Sequence, residues 1–184
     1  NLLYPGGVDT FTIGTNPYAI VTGYYADTVQ IFDLIDPTDI TVTDTETDGE
    51  NGFDELDGAF GVNVFTVGSS TYAIVTGYTD DGVQIIDVSD PTNMIAVGSL
   101  ANSGSLKLDG ADGVDTFTIG FRTYAVIASL ETYGDSDDGG VQILQLSTDD
   151  KLVGEISKAL SESVSFADSI TKSTTKLLSE SVSF

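Results

Sequence analysis

Residues 71–93 read TYAIVTGYTDDGVQIIDVSDPTN. The run from Tyr72 to Gly77 is nearly continuously apolar, the pattern of a strand covered on both faces. Residues 83–87, VQIID, alternate apolar and polar as a second strand. Between them Asp80-Asp81-Gly82 is a tight-turn signal, so the two runs form a hairpin. Asp90-Pro91 starts another turn, because Pro fixes φ. MIAVGSL at 94–100 then reads as a further strand.

The same text occurs twice more. GVDTFTIG (7–14), PYAIVTGY (17–24) and TVQIFDLIDPTD (28–39) precede it, with ITVTDTE (40–46) as their fourth strand. GVNVFTVG (61–68) opens the central copy, and GVDTFTIG (113–120), TYAVIASL (123–130) and GVQILQLSTDD (140–150) form the third. Phe11, Phe65 and Phe117 recur at spacings of 54 and 52 residues. Tyr18, Tyr72 and Tyr124 recur, as do Gln30, Gln84 and Gln142, so core packing is the default role for these positions. The third copy carries an insertion, ETYGDSDDG, between its second and third strands. Four antiparallel strands in roughly 50 residues describe a propeller blade. The predicted fold is all-β: a propeller-like array of about three four-stranded blades at about 1–54, 55–107 and 108–150.

Residues 151–184 differ. Lys151, Lys158, Lys172 and Lys176 balance Glu155, Glu162, Asp168 and Glu180, whereas residues 1–150 carry only Lys107 and Arg122 as bases. LSESVSF occurs at 160–166 and again at 178–184, a period of 18. Eighteen residues are five turns of α-helix, which would put Ile156, Leu160 and Val164 on one face. The Ser/Thr density and the alternation of Val164 with Phe166 favour an extended or strand-like tail instead.

The wording YAIVTG…GVQIIDVSDPTN…VGSL resembles LVIVD-type propeller repeats of secreted microbial proteins, over residues 1–150. The resemblance implies a propeller without established catalytic activity. LSESVSFADSITKSTTK resembles Ser/Thr-rich tandem repeats of very large archaeal surface proteins, over residues 160–184, which implies an extracellular, cell-surface setting.

The net charge of −23 repels a phosphate backbone and an anionic membrane surface, so nucleic acid is not an expected partner. It attracts cations such as Ca²⁺, and equally it is the charge of a solvated acidic surface. No apolar run is long enough to span a membrane. With no Cys and no His, thiol nucleophiles, imidazole bases and thiolate or imidazole metal sites are excluded. No pair among the 29 acids stands out as a glycosidase couple, so the expectation is a protein that is not an enzyme. The chain opens at Asn1 without Met, at the start of a unit, which reads as a mature or excised piece.

The sharpest local pattern is DTETDGENGFDE, residues 44–55. Asp44, Glu46 and Asp48 fall at positions 1, 3 and 5 of an EF-hand-like loop, Gly49 at 6 and Glu55 at 12, with Glu50 between. Such spacing wraps oxygens around Ca²⁺. An acidic connection between blades is the plainer account, because no helices flank the stretch. Asp135, Asp137 and Asp138 in the insertion are a second acidic cluster.

Three blades leave open sheet edges, since propellers close with four to eight. More blades outside this sequence, an open array, or association with copies of itself would cover them. The expectation is an extracellular structural protein that self-assembles into a filament, layer or adhesin. The alternative is a Ca²⁺-dependent module binding a surface glycan or protein.

Overall fold

A computed structural model describes residues 2–130, 140–148, 151–152 and 159–164. The described residues form strands and turns, with no helix among them. In the first blade β1 (Pro5–Ile13), β2 (Asn16–Gly23), β3 (Thr28–Asp33) and β4 (Thr41–Thr47) lie in chain order, each antiparallel to the next. The second blade repeats this with β5 (Ala59–Val67), β6 (Ser70–Gly77), β7 (Gly82–Asp87) and β8 (Ile95–Ala101). The third has β9 (Ala111–Ile119), β10 (Arg122–Ser129) and β11 (Gly140–Gln145). A short ladder follows, β12 (Ser147–Thr148) with β13 (Lys151–Leu152). Then β14 (Ala159–Val164) joins β11 as the outer strand.

The third blade therefore draws its last strand from the segment read as tail. The boundary placed at residue 150 falls inside this sheet, and LSESV at 160–164 is strand. The remaining tail, with the second LSESVSF, lies outside the described residues, as does the insertion with Asp135, Asp137 and Asp138.

The recurring residues behave as scaffold. Phe11 pairs with Tyr18 across the first hairpin, and their rings stack 5.6 Å apart. Phe65–Tyr72 and Phe117–Tyr124 repeat this at 5.7 and 5.4 Å. Asp33 and Asp87 each accept the amide two residues on, from Ile35 and Ser89, both at 2.8 Å. Asp36 and Asp90 cap the Pro turns through Thr38 and Thr92.

The core lies between blades. Side chains on opposite faces of one strand alternate, so Ala73 and Val75 of β6 pack toward the first blade and Ile74 toward the third. Phe11, Ile20 and Ile31 of the first blade meet Val62, Ile86 and Met94 of the second. Phe65, Ile74 and Ile85 of the second meet Ala125, Ile127 and Leu144 of the third. Burying an aliphatic side chain of this size contributes roughly 1.5–3 kcal/mol.

Hydrogen bonds set the spacing of the inner strands. The Thr22 hydroxyl accepts the Gly7 amide at 2.7 Å and donates to the Phe60 carbonyl of the next blade at 2.6 Å. Thr76 does the same between Gly61 and Asp112, both at 2.7 Å. The approach is so close that a Cβ on Gly61 would overlap the Asp112 carbonyl.

Candidate functional site

The β2–β3 and β6–β7 turns end in Asp27 and Asp81, both in left-handed backbone (φ 50° and 57°). This conformation turns each residue toward the connection that follows its blade. The Asp27 carboxylate accepts the Gly58 amide at 2.9 Å, and its carbonyl accepts Asp48 N–H at 2.9 Å. Asp81 holds Gly110 and Asn102 in the same way, at 2.8 and 2.7 Å. From the other side, the Gln84 side chain accepts Asp54 N–H and Gln142 accepts Lys107 N–H, both at 3.1 Å. These buried glutamines thus pin each connection onto the blade it enters.

Carboxylates gather where the first connection crosses between blades. Asp80 accepts the Asp57 amide at 2.7 Å. Burial, then Asp48 and Asp57, push Asp80 up to about 6 despite that amide. Glu55 is buried, and its Oε2 has no hydrogen-bond partner. Burial first, then Asp80, Asp48, Asp54 and Asp81, push it up to about 7. Burial and the Asp27 charge raise Asp57. Asp48 lies beside Asp80 and adds to its upward shift, as Asp27 does beside Asp57.

The five residues of the EF-hand-like spacing do not converge on one point. Asp44 lies in β4 opposite Ile31; its carboxylate accepts Met94 N–H of the second blade at 2.6 Å and Thr45 N–H at 2.8 Å. Glu46, two residues along the same strand, accepts the Asn51 amide group at 3.3 Å. Burial raises Glu46, and the Asp44 and Glu50 charges add to this. Asp48 holds the Leu56 amide at 3.0 Å. Glu50 closes a backbone turn onto Phe53 with its side chain exposed. The fold brings Asp48 and Glu55 toward one another, with Asp80, and leaves Asp44 and Glu46 on the outer strand. Among the described residues, no three carboxylates are grouped so as to hold a metal ion.

Asp27, Asp57 and Asp80 belong to this junction; the sequence marks Asp80 only as a turn residue, and neither Asp27 nor Asp57 stands out in it. The available signal was recurrence: Asp27 matches Asp81, and Asp57 matches Asp109.

An aromatic patch flanks the same end. Tyr24 contacts Tyr4, Tyr25, Phe60 and Tyr78 with ring centroids 5.0–6.0 Å apart. Tyr4 and Tyr25 are themselves exposed. Two of the clefts among the described residues lie elsewhere. One, about 270 Å³, runs between the hairpin turns of blades two and three and is lined by Thr, Ser, Val, Gly and Phe121, without an ionisable group. The other, about 320 Å³, has Glu46 as its one carboxylate, beside Asn51 and Asn93.

The outer faces of the array are the second notable surface. Val8 of β1 is 65% exposed, whereas its counterpart Val62 is 8% exposed against the first blade. Ile40 is 54% exposed and its counterpart Met94 4%. On the opposite face of the array Ile119 is 63% exposed and its counterpart Val67 7%.

No protein-family model and no curated protein matches the chain. Among solved structures it is similar to an α-L-arabinofuranosidase from Lactobacillus brevis, with a TM-score of 0.51 and 10% identity, over 82% of this chain and 51% of that one. A Bombyx mori GH32 β-fructofuranosidase aligns with a TM-score of 0.46 and 11% identity, over 76% of this chain and 34% of that one. The chain spans about half the length of the first and a third of the second. The likeness to the arabinofuranosidase is one of fold: an all-β, propeller-like array of antiparallel blades.

Proposed function

We propose that this chain is a structural module of an extracellular cell-surface assembly, that it associates with copies of itself, and that it is not an enzyme. The observation that carries the reading is Val8 against Val62: the same residue at the same blade position, exposed in the first blade and buried in the second. An apolar sheet face of this kind favours association in water. Self-association of such blades builds a filament, a layer or an adhesin. Light scattering on the eluting full chain, with negative-stain microscopy, tests the reading. Particles above the monomer mass support it; a strict monomer across salt, pH and concentration overturns it.

The aromatic patch favours a second reading, a module that binds a surface glycan. Exposed tyrosine rings stack on the C–H faces of sugars, and the carboxylates of Asp27, Asp57 and Asp80 at the same end of the array accept their hydroxyls. Its Ca²⁺ dependence rests on the acidic stretch of Asp44, Glu46, Asp48, Glu50 and Glu55, of which Asp48 and Glu55 lie near one another. Glycan binding that is lost in Tyr25→Ala and abolished by EDTA would favour this reading. Calorimetry showing no heat with Ca²⁺ would remove the metal from it.

A further inference from the structure

We infer that the outer face of the third blade docks on the outer face of the first blade in a second copy of this chain, repeating the junction already built twice within one chain. The inference rests on the self-association reading and names its surfaces.

Each junction inside the chain pairs two different faces. The leading blade offers Phe11, Ile13 and Tyr18, or Phe65, Val67 and Tyr72. The following blade offers Val62, Ile86 and Met94, or Val114. Both kinds of face stand open at the ends of the array. The third blade presents Phe117, Ile119 and Val126, partly or largely exposed. The first presents Val8, Phe32, Ile40 and Val42, of the same chemical character as their buried counterparts Val62, Ile86, Met94 and Ala96.

The polar contacts transfer as well. Asp9 caps its own Thr10 amide at 2.7 Å and reaches across to the Val64 amide at 2.7 Å. At the next junction Asn63 accepts the Thr116 hydroxyl at 2.6 Å. Asp115 is the third residue of this series. It caps its own Thr116 at 2.8 Å and is exposed on the open face. The residue it would meet in a second copy is Thr10, which matches Thr116 in type and position. Docking therefore gives Asp115 the hydroxyl donor that Asn63 already has.

The third blade also lacks what holds a blade joined by a direct connection. Where Thr22 and Thr76 donate to the next inner strand, it has Ala128; where Asp27 and Asp81 hold the next connection, the sequence has Gly139. The apolar face is kept while the residues that tether a covalent successor are not, which suits a face arriving from another chain. The two faces differ, so the contact is heterologous: it closes into a ring where the rotation permits and otherwise runs on as a filament. Two copies bring six blades together, inside the range in which propellers close.

Sedimentation velocity on the full chain tests this with Val8→Asp for the first-blade face and Ile119→Asp for the third-blade face. Both sites are exposed, and circular dichroism checks that each variant folds; Val42→Lys is the second first-blade variant. The expected result is association of the parent chain, monomers from either variant alone, and a particle of two chains from their equimolar mixture, through the one intact junction. A monomeric parent chain overturns the self-association reading itself. An associating parent with a variant that still associates alone, or a mixture that stays monomeric, overturns this docking geometry and leaves the broader reading standing.

Discussion

Glu55 lies directly over Gly82: a Cβ on Gly82 would fall on the Glu55 carboxylate, whose Oε2 is buried without a hydrogen-bond partner. The absent side chain makes room for an acid that ionises at a cost. Burial and the nearby Asp80 and Asp48 raise it from 4.5 to about 7. A raised carboxyl holds a proton in the folded state that the unfolded chain releases, so its stabilising contribution is full below about pH 4.5 and lost as pH rises to about 7. Asp80, raised to about 6, acts in the same direction. The shift on Glu55 corresponds to a ceiling of roughly 3 kcal/mol. Thermal melts between pH 4.5 and 8 should show the parent chain losing stability across this window. Glu55→Gln should flatten the profile and melt higher than the parent at pH 8. Parallel profiles would refute the assignment.

Gly61 and Gly113 occupy the same position in successive blades and should respond oppositely to alanine. At Gly61 the new Cβ meets the Asp112 backbone of the next blade, which cannot swing aside. Gly61→Ala should cost about 1–3 kcal/mol, the usual range for overpacking. At Gly113 the nearest atom is the Ala128 Cβ at 3.9 Å, so Gly113→Ala should be neutral or slightly stabilising. Urea denaturation of both variants measures the difference, and equal losses would contradict the open face assigned to the third blade.

The strands and turns of this fold follow from local patterns, which is why Asp36-Pro37, Asp90-Pro91 and the Phe–Tyr pairs could be placed from the chain alone. The outer strand of the third blade escaped that reading. Its residues, 159–164, follow an added ladder at 147–152, and 160–164 share their text with 178–182, so the tandem period points to a separate tail. The acidic stretch 44–55 is spread apart in the fold for a related reason. Spacing along the chain sets a coordination loop only if the backbone curls, and here β4 runs extended to Thr47, which sends Asp44 to Met94 and Glu46 to Asn51. Asp57 and Asp80 are 23 residues apart and meet where the two ends of the β5–β6 hairpin come together, so neither stands out until the hairpin is closed.

Thr76 and Ala128 form a natural pair of opposite substitutions. Thr76→Val removes the acceptor for Gly61 N–H and the donor to the Asp112 carbonyl while keeping the shape. Stranding these backbone groups should cost about 1–3 kcal/mol in urea denaturation, and Thr76→Ser should recover most of it. In the third blade the reverse change, Ala128→Thr, supplies the hydroxyl that both internal junctions have. One hydrogen bond of about 1 kcal/mol should tighten association about fivefold with little change in monomer stability. Sedimentation equilibrium of the variant against the parent chain reads this directly. An unchanged constant would mean that the junction between chains is not built like those within one.

Association between copies depends on salt. Each chain bears a formal charge of −23, yet Val8, Ile40, Val42 and Ile119 on the open faces are uncharged. Repulsion between copies is therefore long-range and diffuse, and salt screens it over roughly 10 Å at 0.1 M. The apolar contact itself is not weakened by that screening. Association should strengthen steadily from about 0.01 M to 1 M NaCl, while Val8→Asp stays monomeric throughout. A contact held by ion pairs would behave the other way and dissociate with salt. Sedimentation velocity across this range separates the two, and dissociation at high salt would place the interface somewhere other than these apolar faces.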